Sequence, residues 1–414
     1  MSRVVVIGAG LAGLVAANRL AEVGVQVVLL HKGLGGLQLG QGTIDVFGYA
    51  PERVFNPIKA VGSVATTHPY TAIGGKAVLT GLDYLKKLLP ELLLGDPESN
   101  YQLPTAVGAI RPTCLAQPSM IAGHVTDGAK LVIVGIRGLK DFQPQLIAEN
   151  LARTPLPDGG RLRARHLWVD VPARDGEIDS SGLTYARAFD DEDFRVRFAK
   201  AVVDQLREDE IVGLPAVLGL KDLHAWRDLA GKLAHRVFEI PLPPPSVPGL
   251  RLTEALTARA LAAGVRIVPG VRTVRYASSG DRVTSVTTAA GLGGRGYAAD
   301  AFLLATGGFE SGALNLDSHQ VVRETLFDLP LAGLDQTPLI HGEYWGPEQP
   351  LFKVGVAVNP KMQAVDAAGI PVFANLYAAG GIIAGASGWT EKSGDGIALA
   401  SAIVAAAAIS KELA

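Results

Sequence analysis

The run Val4-Val5-Val6-Ile7 leads directly into Gly8-Ala9-Gly10-Leu11-Ala12-Gly13, and no other segment limits the fold as strongly. An uninterrupted β-branched run forms a strand buried on both faces, the type found in parallel sheets. The glycines that follow have separate tasks. Gly8 permits a tight turn, Gly10 lets the backbone come close to a pyrophosphate, and Gly13 lets the next helix pack on the sheet. A helix opening there offers unpaired N–H groups and the positive end of its dipole to phosphates. The pattern predicts this helix from Leu11 to Val23, a stop at Gly24 and a second strand over Val25–Leu30. Leu11 and Ala12, with the three glycines, are candidate contacts to a phosphate-bearing cofactor.

A dinucleotide fold of the ordinary NAD type closes its second strand on an acid that binds the ribose. Here the strand ends Leu30-His31-Lys32-Gly33, which argues against NAD and makes His31 and Lys32 candidates for a phosphate near the strand end. The segment Gly33–Asp45 is too glycine-rich for a helix. It is either a loop that wraps a flavin ring, with Gln41, Gly42 and Thr43 against the polar edge, or a surface loop. Two later strands end in small residues, Phe302–Phe309 with Ala305, Thr306 and Gly307, and Asn375–Gly381 with Gly380 and Gly381. Gly394, Asp395 and Gly396 open the last helix, whose N-terminus can stabilise negative charge on a reduced ring. These segments in this order indicate a flavin. The missing acid leaves FAD and the smaller FMN both open.

A chain of 414 residues predicts two domains. A second α/β alternation runs from about 131 to 240, with strands at Leu131–Ile136, Leu167–Val171, Ile211–Val217 and Val237–Ile240. Helices are expected at about 142–151, 192–207 and 223–234. Prolines at 241–248 mark its exit, because they continue neither a helix nor a central strand. The expected fold is therefore α/β: a three-layer, Rossmann-like FAD/NAD(P)-binding flavin domain, residues 1–125 and 246–414, with an inserted second α/β domain at 126–245. Beyond the insert, a helix at 252–262, a strand at 265–268 and an antiparallel pair around Ser279-Gly280-Asp281 complete the pattern.

Charge is nearly balanced, 38 Lys+Arg against 40 Asp+Glu, without a basic block, so no nucleic-acid partner is expected. The one cysteine, Cys114, supports neither an iron–sulfur cluster nor a cysteine-based zinc site, and no metal is expected. The N-terminus lacks a signal-peptide pattern. The apolar run Ile397–Ile409 is read as too short to span a bilayer, so no direct transmembrane segment is expected.

Over nearly its whole length the chain resembles the B subunit, a flavoprotein, of anaerobic glycerol-3-phosphate dehydrogenase. The resemblance is carried by Gly8–Gly13, Gly42-Thr43-Ile44-Asp45, His68-Pro69-Tyr70 and Val134–Leu139 with Asp141-Phe142-Gln143. Leu214-Pro215-Ala216, Pro243–Ser246 through Gly249–Leu252, Gly342-Glu343 and the C-terminal glycine segment complete it. It implies a flavoprotein using FMN, paired with an FAD-bearing catalytic subunit. A third, iron–sulfur subunit would anchor the pair to the cytoplasmic membrane and pass electrons to quinone. The implied reaction is oxidation of sn-glycerol 3-phosphate to dihydroxyacetone phosphate, in a cytoplasmic protein peripheral to the membrane through its partners. The sequence departs from the family at Ser387–Gly394, where the family's glycine run carries cysteine, and at His341.

Four residues are candidates for the chemistry. Arg111 matches a family arginine and can hold a substrate phosphate bidentately, or form an ion pair between domains. Arg251 can reach a flavin phosphate or a cleft, or lie on the surface. His341 and Glu343 can form an acid–base pair, or belong to a loop without that duty. Arg137 also follows an apolar strand, where open α/β sheets collect ligands. His68 reads as structural. A self-sufficient FAD oxidoreductase of the fumarate reductase type and an assembly subunit with a degenerate flavin site are the competing readings.

Overall fold

The computed structural model describes residues 2–156, 159–289, 294–343 and 346–414. The chain forms two compact units, one of Met1–Gly36, Asp45–Leu88 and Glu254–Ala414, the other of Leu37–Ile44 and Leu89–Thr253.

In the first unit, β1 (Arg3–Ile7), α1 (Leu11–Glu22) and β2 (Gln26–His31) form as the glycine pattern predicts. The unit continues with β3 (Arg266–Pro269), β4 (Thr273–Ser279), β5 (Arg282–Thr288), β6 (Arg295–Ala298), β7 (Ala301–Leu304) and β8 (Leu376–Ala378). Among the described residues a five-stranded sheet has the order β8-β7-β1-β2-β3, every pair parallel. β1 is thus central, and Val4, Val5 and Val6 are fully buried, the reason an unbroken valine run suits it. β4, β5 and β6 form a separate antiparallel sheet. The buried Asn375 ties β5 to the start of β8, accepting from Val283 N–H at 2.9 Å and donating to Val283 O at 2.8 Å.

Helices make the third layer: α1 packs on β1 and β2, while α2 (Gly75–Leu88) and α1 both pack on α3 (Gly394–Leu413). Small residues allow the close approach; a Cβ on Gly81 of α2 would stand 2.9 Å from Leu399 Cγ. The run Ile397–Ile409 lies within the longer helix α3. Its 20 residues make it long and apolar enough, by length and composition, to cross a membrane, and 56% of its apolar window is buried within the protein.

The second unit is built on a four-stranded parallel sheet of Lys130–Ile136, Arg163–Val169, Ile211–Pro215 and Val237–Ile240, with the first of these between the second and third. Helices Pro144–Arg153, Glu192–Val202 and Ala225–Leu233 connect it near the expected positions, and a further helix, Gly182–Phe189, adds to them. Phe189, Phe194, Phe198 and Phe238 fill its core. The helix expected at 252–262 begins earlier, as Val247–Ala262. Pro248 falls in its first turn, where a missing N–H has no intrahelical partner to lose.

Candidate functional site

The glycine turn is held by two different requirements. Gly8 has φ +115° and gives its N–H to Leu30 O at 2.8 Å; a Cβ there would lie 2.1 Å from Ala305 O. A Cβ on Gly13 would lie 1.9 Å from Gly8 O. Both glycines are therefore demanded by packing. Gly10 is different, because a Cβ there would meet nothing within 4 Å. It is the N-cap of α1, and no side chain caps the helix at that end. The N–H groups of the first turn of α1, Leu11 to Gly13, thus have no N-cap side chain on them and begin beside the open space at Gly10.

The other small-residue segments gather around this turn. Ala305 continues β7 by giving its N–H to Ile7 O at 2.9 Å, and the next residue, Thr306, has a buried hydroxyl without a hydrogen-bond partner. A Cβ on Gly381 would be 3.7 Å from Gly307 Cα, and one on Gly380 would be 3.1 Å from Ala12 Cβ. Gly380 N–H donates to Ser401 Oγ at 3.0 Å, fixing the turn to α3. Gly35, in the loop after β2, lies against the turn as well, where a Cβ would come within 2.7 Å of Ala9 O and Gly10 Cα. Gly8–Gly13, Gly307 and Gly380–Gly381 are therefore brought together in one place. The open space at Gly10, the uncapped helix and the unpartnered Thr306 hydroxyl fit a phosphate-bearing cofactor.

At the end of β2, where an acid is missing, His31 Nδ1 lies 2.6 Å from Gly33 O and Lys32 Nζ donates to Ser311 O. Both side chains engage backbone carbonyls. The N-terminus of α3 is also engaged: Gly396 N–H donates to Asp45 O at 2.9 Å, and Asp395 Oδ2 accepts from Asp45 N–H at 3.3 Å. A Cβ on Gly396 would stand 2.3 Å from Tyr70 Oη, so this glycine lets Tyr70 reach Val46 O at 2.6 Å.

Next to this helix start lies a half-buried pair the sequence did not suggest. His68 accepts Tyr70 N–H on Nδ1 at 3.1 Å, which leaves Nε2 to donate to Glu391 Oε2 at 3.1 Å. Ser393 Oγ donates to the same oxygen at 2.8 Å, and Phe47 and Tyr70 flank the imidazole. Burial pushes the Glu391 carboxyl up, but the bonds from His68 and Ser393 outweigh it and hold it below the usual glutamate range. A carboxyl lowered on folding adds stability above its unfolded pKa, about 4.3, and that stability is lost as pH falls through the folded value. Glu391→Gln should therefore flatten the acid limb of a Tm-against-pH curve below about pH 4. An acid limb identical to that of the parent protein would show that the pair adds nothing.

His341 and Glu343 share a loop in the first unit, organised by Gln349, whose Oε1 accepts from His341 N–H at 2.5 Å. Gln349 Nε2 donates to the carbonyls of His341 at 3.3 Å and Glu343 at 3.5 Å. Among the described residues no hydrogen bond or ion pair joins the His341 and Glu343 side chains.

In the second unit, Arg111 lies on the strand Ile110–Thr113 and donates to Gln41 Oε1 and, at 3.4 Å, to Thr43 Oγ1. Arg111 thus meets two residues of the glycine-rich loop, which the sequence singled out on other grounds. Gly42, between them, has φ +72° and leaves no room for a Cβ, which would be 2.4 Å from Pro248 Cβ. Gln117 Nε2 secures this segment by donating to Gly42 O at 3.2 Å and Pro248 O at 2.8 Å.

Arg251 is neither on the surface nor free. It is buried, with its guanidinium bidentate on Glu239 at 2.7 and 2.9 Å, and it donates also to Gln117 Oε1 at 3.1 Å and Gly219 O at 2.8 Å. Glu239 accepts further bonds from Ser119 Oγ at 2.6 Å and Leu218 N–H at 2.7 Å. Arg137 packs its guanidinium over Trp168, 5.8 Å from the ring centroid.

Comparison with known proteins adds an independent line. The sequence matches the family described as FAD binding domain over residues 3–397. A Halobacterium salinarum protein, named as a probable B subunit of anaerobic glycerol-3-phosphate dehydrogenase, is 30% identical, covering 100% of this chain and 98% of its own length. An Actinobacillus pleuropneumoniae protein, named as the B subunit of the same enzyme, is 29% identical over 97% of both chains. A Vibrio cholerae protein with that name is 28% identical over 96% of this chain and 94% of its own.

Proposed function

The chain belongs to the FAD binding domain family and, within it, to the family of anaerobic glycerol-3-phosphate dehydrogenase B subunits, and from that premise we propose that it is a flavin-bearing oxidoreductase subunit oxidising sn-glycerol 3-phosphate to dihydroxyacetone phosphate. The observation that carries the reading is the contrast within the glycine turn. Gly8 and Gly13 are required by packing, whereas a Cβ on Gly10 would meet nothing within 4 Å. At an uncapped helix start, beside Gly380 and the unpartnered Thr306 hydroxyl, that opening is where a pyrophosphate can approach the N–H groups of α1.

We take the flavin to be FAD rather than FMN, because the family over 3–397 is described by FAD. When bound, a flavin accepts two electrons and a proton from the substrate carbon. The chain's own residues then have distinct tasks. Gly10 to Gly13 hold the pyrophosphate on α1, and Ala305, Thr306, Gly307, Gly380 and Gly381 leave room beside it. His31 and Lys32 line the end of β2. Gln41, Gly42 and Thr43 are assigned to the flavin edge, and the N-terminus of α3 at Gly394, Asp395 and Gly396, through its backbone dipole, to negative charge on the ring. Arg111 is the candidate for the substrate phosphate, and His341 with Glu343 for proton transfer. Arg251, engaged by Glu239, we assign to positioning Gln117 and Gly42.

Cys114 is the sole cysteine and is buried, so clusters that carry electrons onward must belong to other chains. We propose an FAD-bearing catalytic subunit and an iron–sulfur, membrane-anchoring subunit as those partners, with quinone as acceptor and attachment to the cytoplasmic membrane through them. The parallel sheet of the second unit lies within 126–245, the stretch we propose as the inserted domain. Acid release of the flavin from purified protein, followed by chromatography, tests the cofactor: FAD is expected, and FMN would overturn that choice. Protein without flavin absorbance would overturn the whole reading. Turnover of glycerol 3-phosphate with a dye acceptor should need the partner subunits, and full activity of the chain alone would overturn their assignment.

A further inference from the structure

The N-terminal edge of the five-stranded sheet, at the opposite end of the strands from the glycine turns, carries a concentration of positive charge. Arg3 begins β1, Gln26 begins β2 and Arg266 begins β3, and the register sets Arg3 beside Gln26 and Val28 beside Arg266. With Arg295, the first residue of β6, they line a hollow of about 410 Å³. Among the described residues no ion pair or hydrogen bond engages the guanidinium of Arg3, Arg266 or Arg295. Arg295 has a ring contact, 5.5 Å from the centroid of Tyr297, which also lines the hollow. Among the described residues no carboxylate lines it. Asp300 is close by, but its Oδ2 accepts the backbone N–H of Arg3 at 2.8 Å.

Three like charges facing one hollow repel each other, and in a chain of formal net charge -2 nothing requires them to be collected there. A ligand of opposite charge removes the repulsion, and guanidinium forks match phosphate oxygens in pairs. We propose that this hollow binds a phosphate-bearing anion, either a soluble one or the headgroup of an anionic phospholipid. The site is separate from the proposed flavin site, since it lies at the strand starts.

The test uses the flavin-loaded full chain. Isothermal titration with inorganic pyrophosphate is compared with co-sedimentation on phosphatidylglycerol and on phosphatidylcholine vesicles. Arg266→Gln and Arg295→Gln alter exposed side chains, and flavin absorbance confirms that each variant retains its fold. Each substitution is expected to weaken pyrophosphate binding about tenfold, and the pair about a hundredfold, with flavin content unchanged. Binding to phosphatidylglycerol vesicles alone, with the same sensitivity to the variants, would assign the site to a lipid headgroup. Equal binding by parent and double variant, displacement of flavin by pyrophosphate, or no binding to either probe would overturn the proposal.

Discussion

Gly10→Val is expected to empty the flavin site while leaving the apoprotein as stable as the parent. A Cβ at this position meets nothing within 4 Å in the protein, so folding loses little. The new side chain would occupy the space into which a pyrophosphate must come to reach the N–H groups of α1. The expected loss is at least about a hundredfold in flavin affinity, or about 2.7 kcal/mol. Gly8→Val is the control with the opposite signature. Its Cβ would lie 2.1 Å from Ala305 O at φ +115°, so the unfolding temperature should fall before any question of binding arises. Flavin-to-protein absorbance ratios and calorimetry of both apoproteins separate the two. A Gly10→Val protein that retains its full flavin would remove the turn from the site.

Arg251→Ala is expected to produce a large loss of stability. The guanidinium and Glu239 are both almost wholly buried, with side-chain exposures of 4% and 0%. Removing one partner leaves a buried charge without compensation, which destabilises by about 3–5 kcal/mol. The remaining bonds from Ser119 and Leu218 soften this without replacing a cation. The double substitution Arg251→Met/Glu239→Leu should recover much of the loss, because an apolar pair no longer needs solvation. Urea unfolding of the three proteins reads the difference. Equal midpoints for Arg251→Ala and the parent would show that the pair is not closed in solution.

These two predictions differ in how much of their basis is visible in the sequence. The glycine turn is legible because its logic is local: strand, turn and helix are consecutive, and each glycine has one geometric task. The Arg251–Glu239 pair is not, because nothing near Arg251 announces a carboxylate from the end of a strand. His68 and Glu391 are farther apart still, 323 positions along the chain. Edge strands blur for a different reason. The strand Arg163–Val169 is at the rim of its sheet and opens with Arg163-Ala164-Arg165-His166, so the apolar signal marks only its last residues. The helix Gly75–Leu88 is hidden by the glycine pair at its start, although Val78, Leu82 and Leu85 face inward at helical spacing. The residues of the Arg111, Gln41 and Thr43 cluster are each legible, but their meeting is not, because it joins positions about seventy apart.

The position of β1 sets an order of events during synthesis. It is made long before its flanking strand β7, residues 301–304, and before the sheet's edge β8, residues 376–378. α3, which packs on α1, comes later still. The four strands of the second unit are complete by residue 240, so that sheet can form while β1 still waits for β7. The cradle around Gly10 therefore closes only once Gly380 and Ser401 of α3 have been made, so a cofactor held there is acquired after these residues rather than on the early nascent chain.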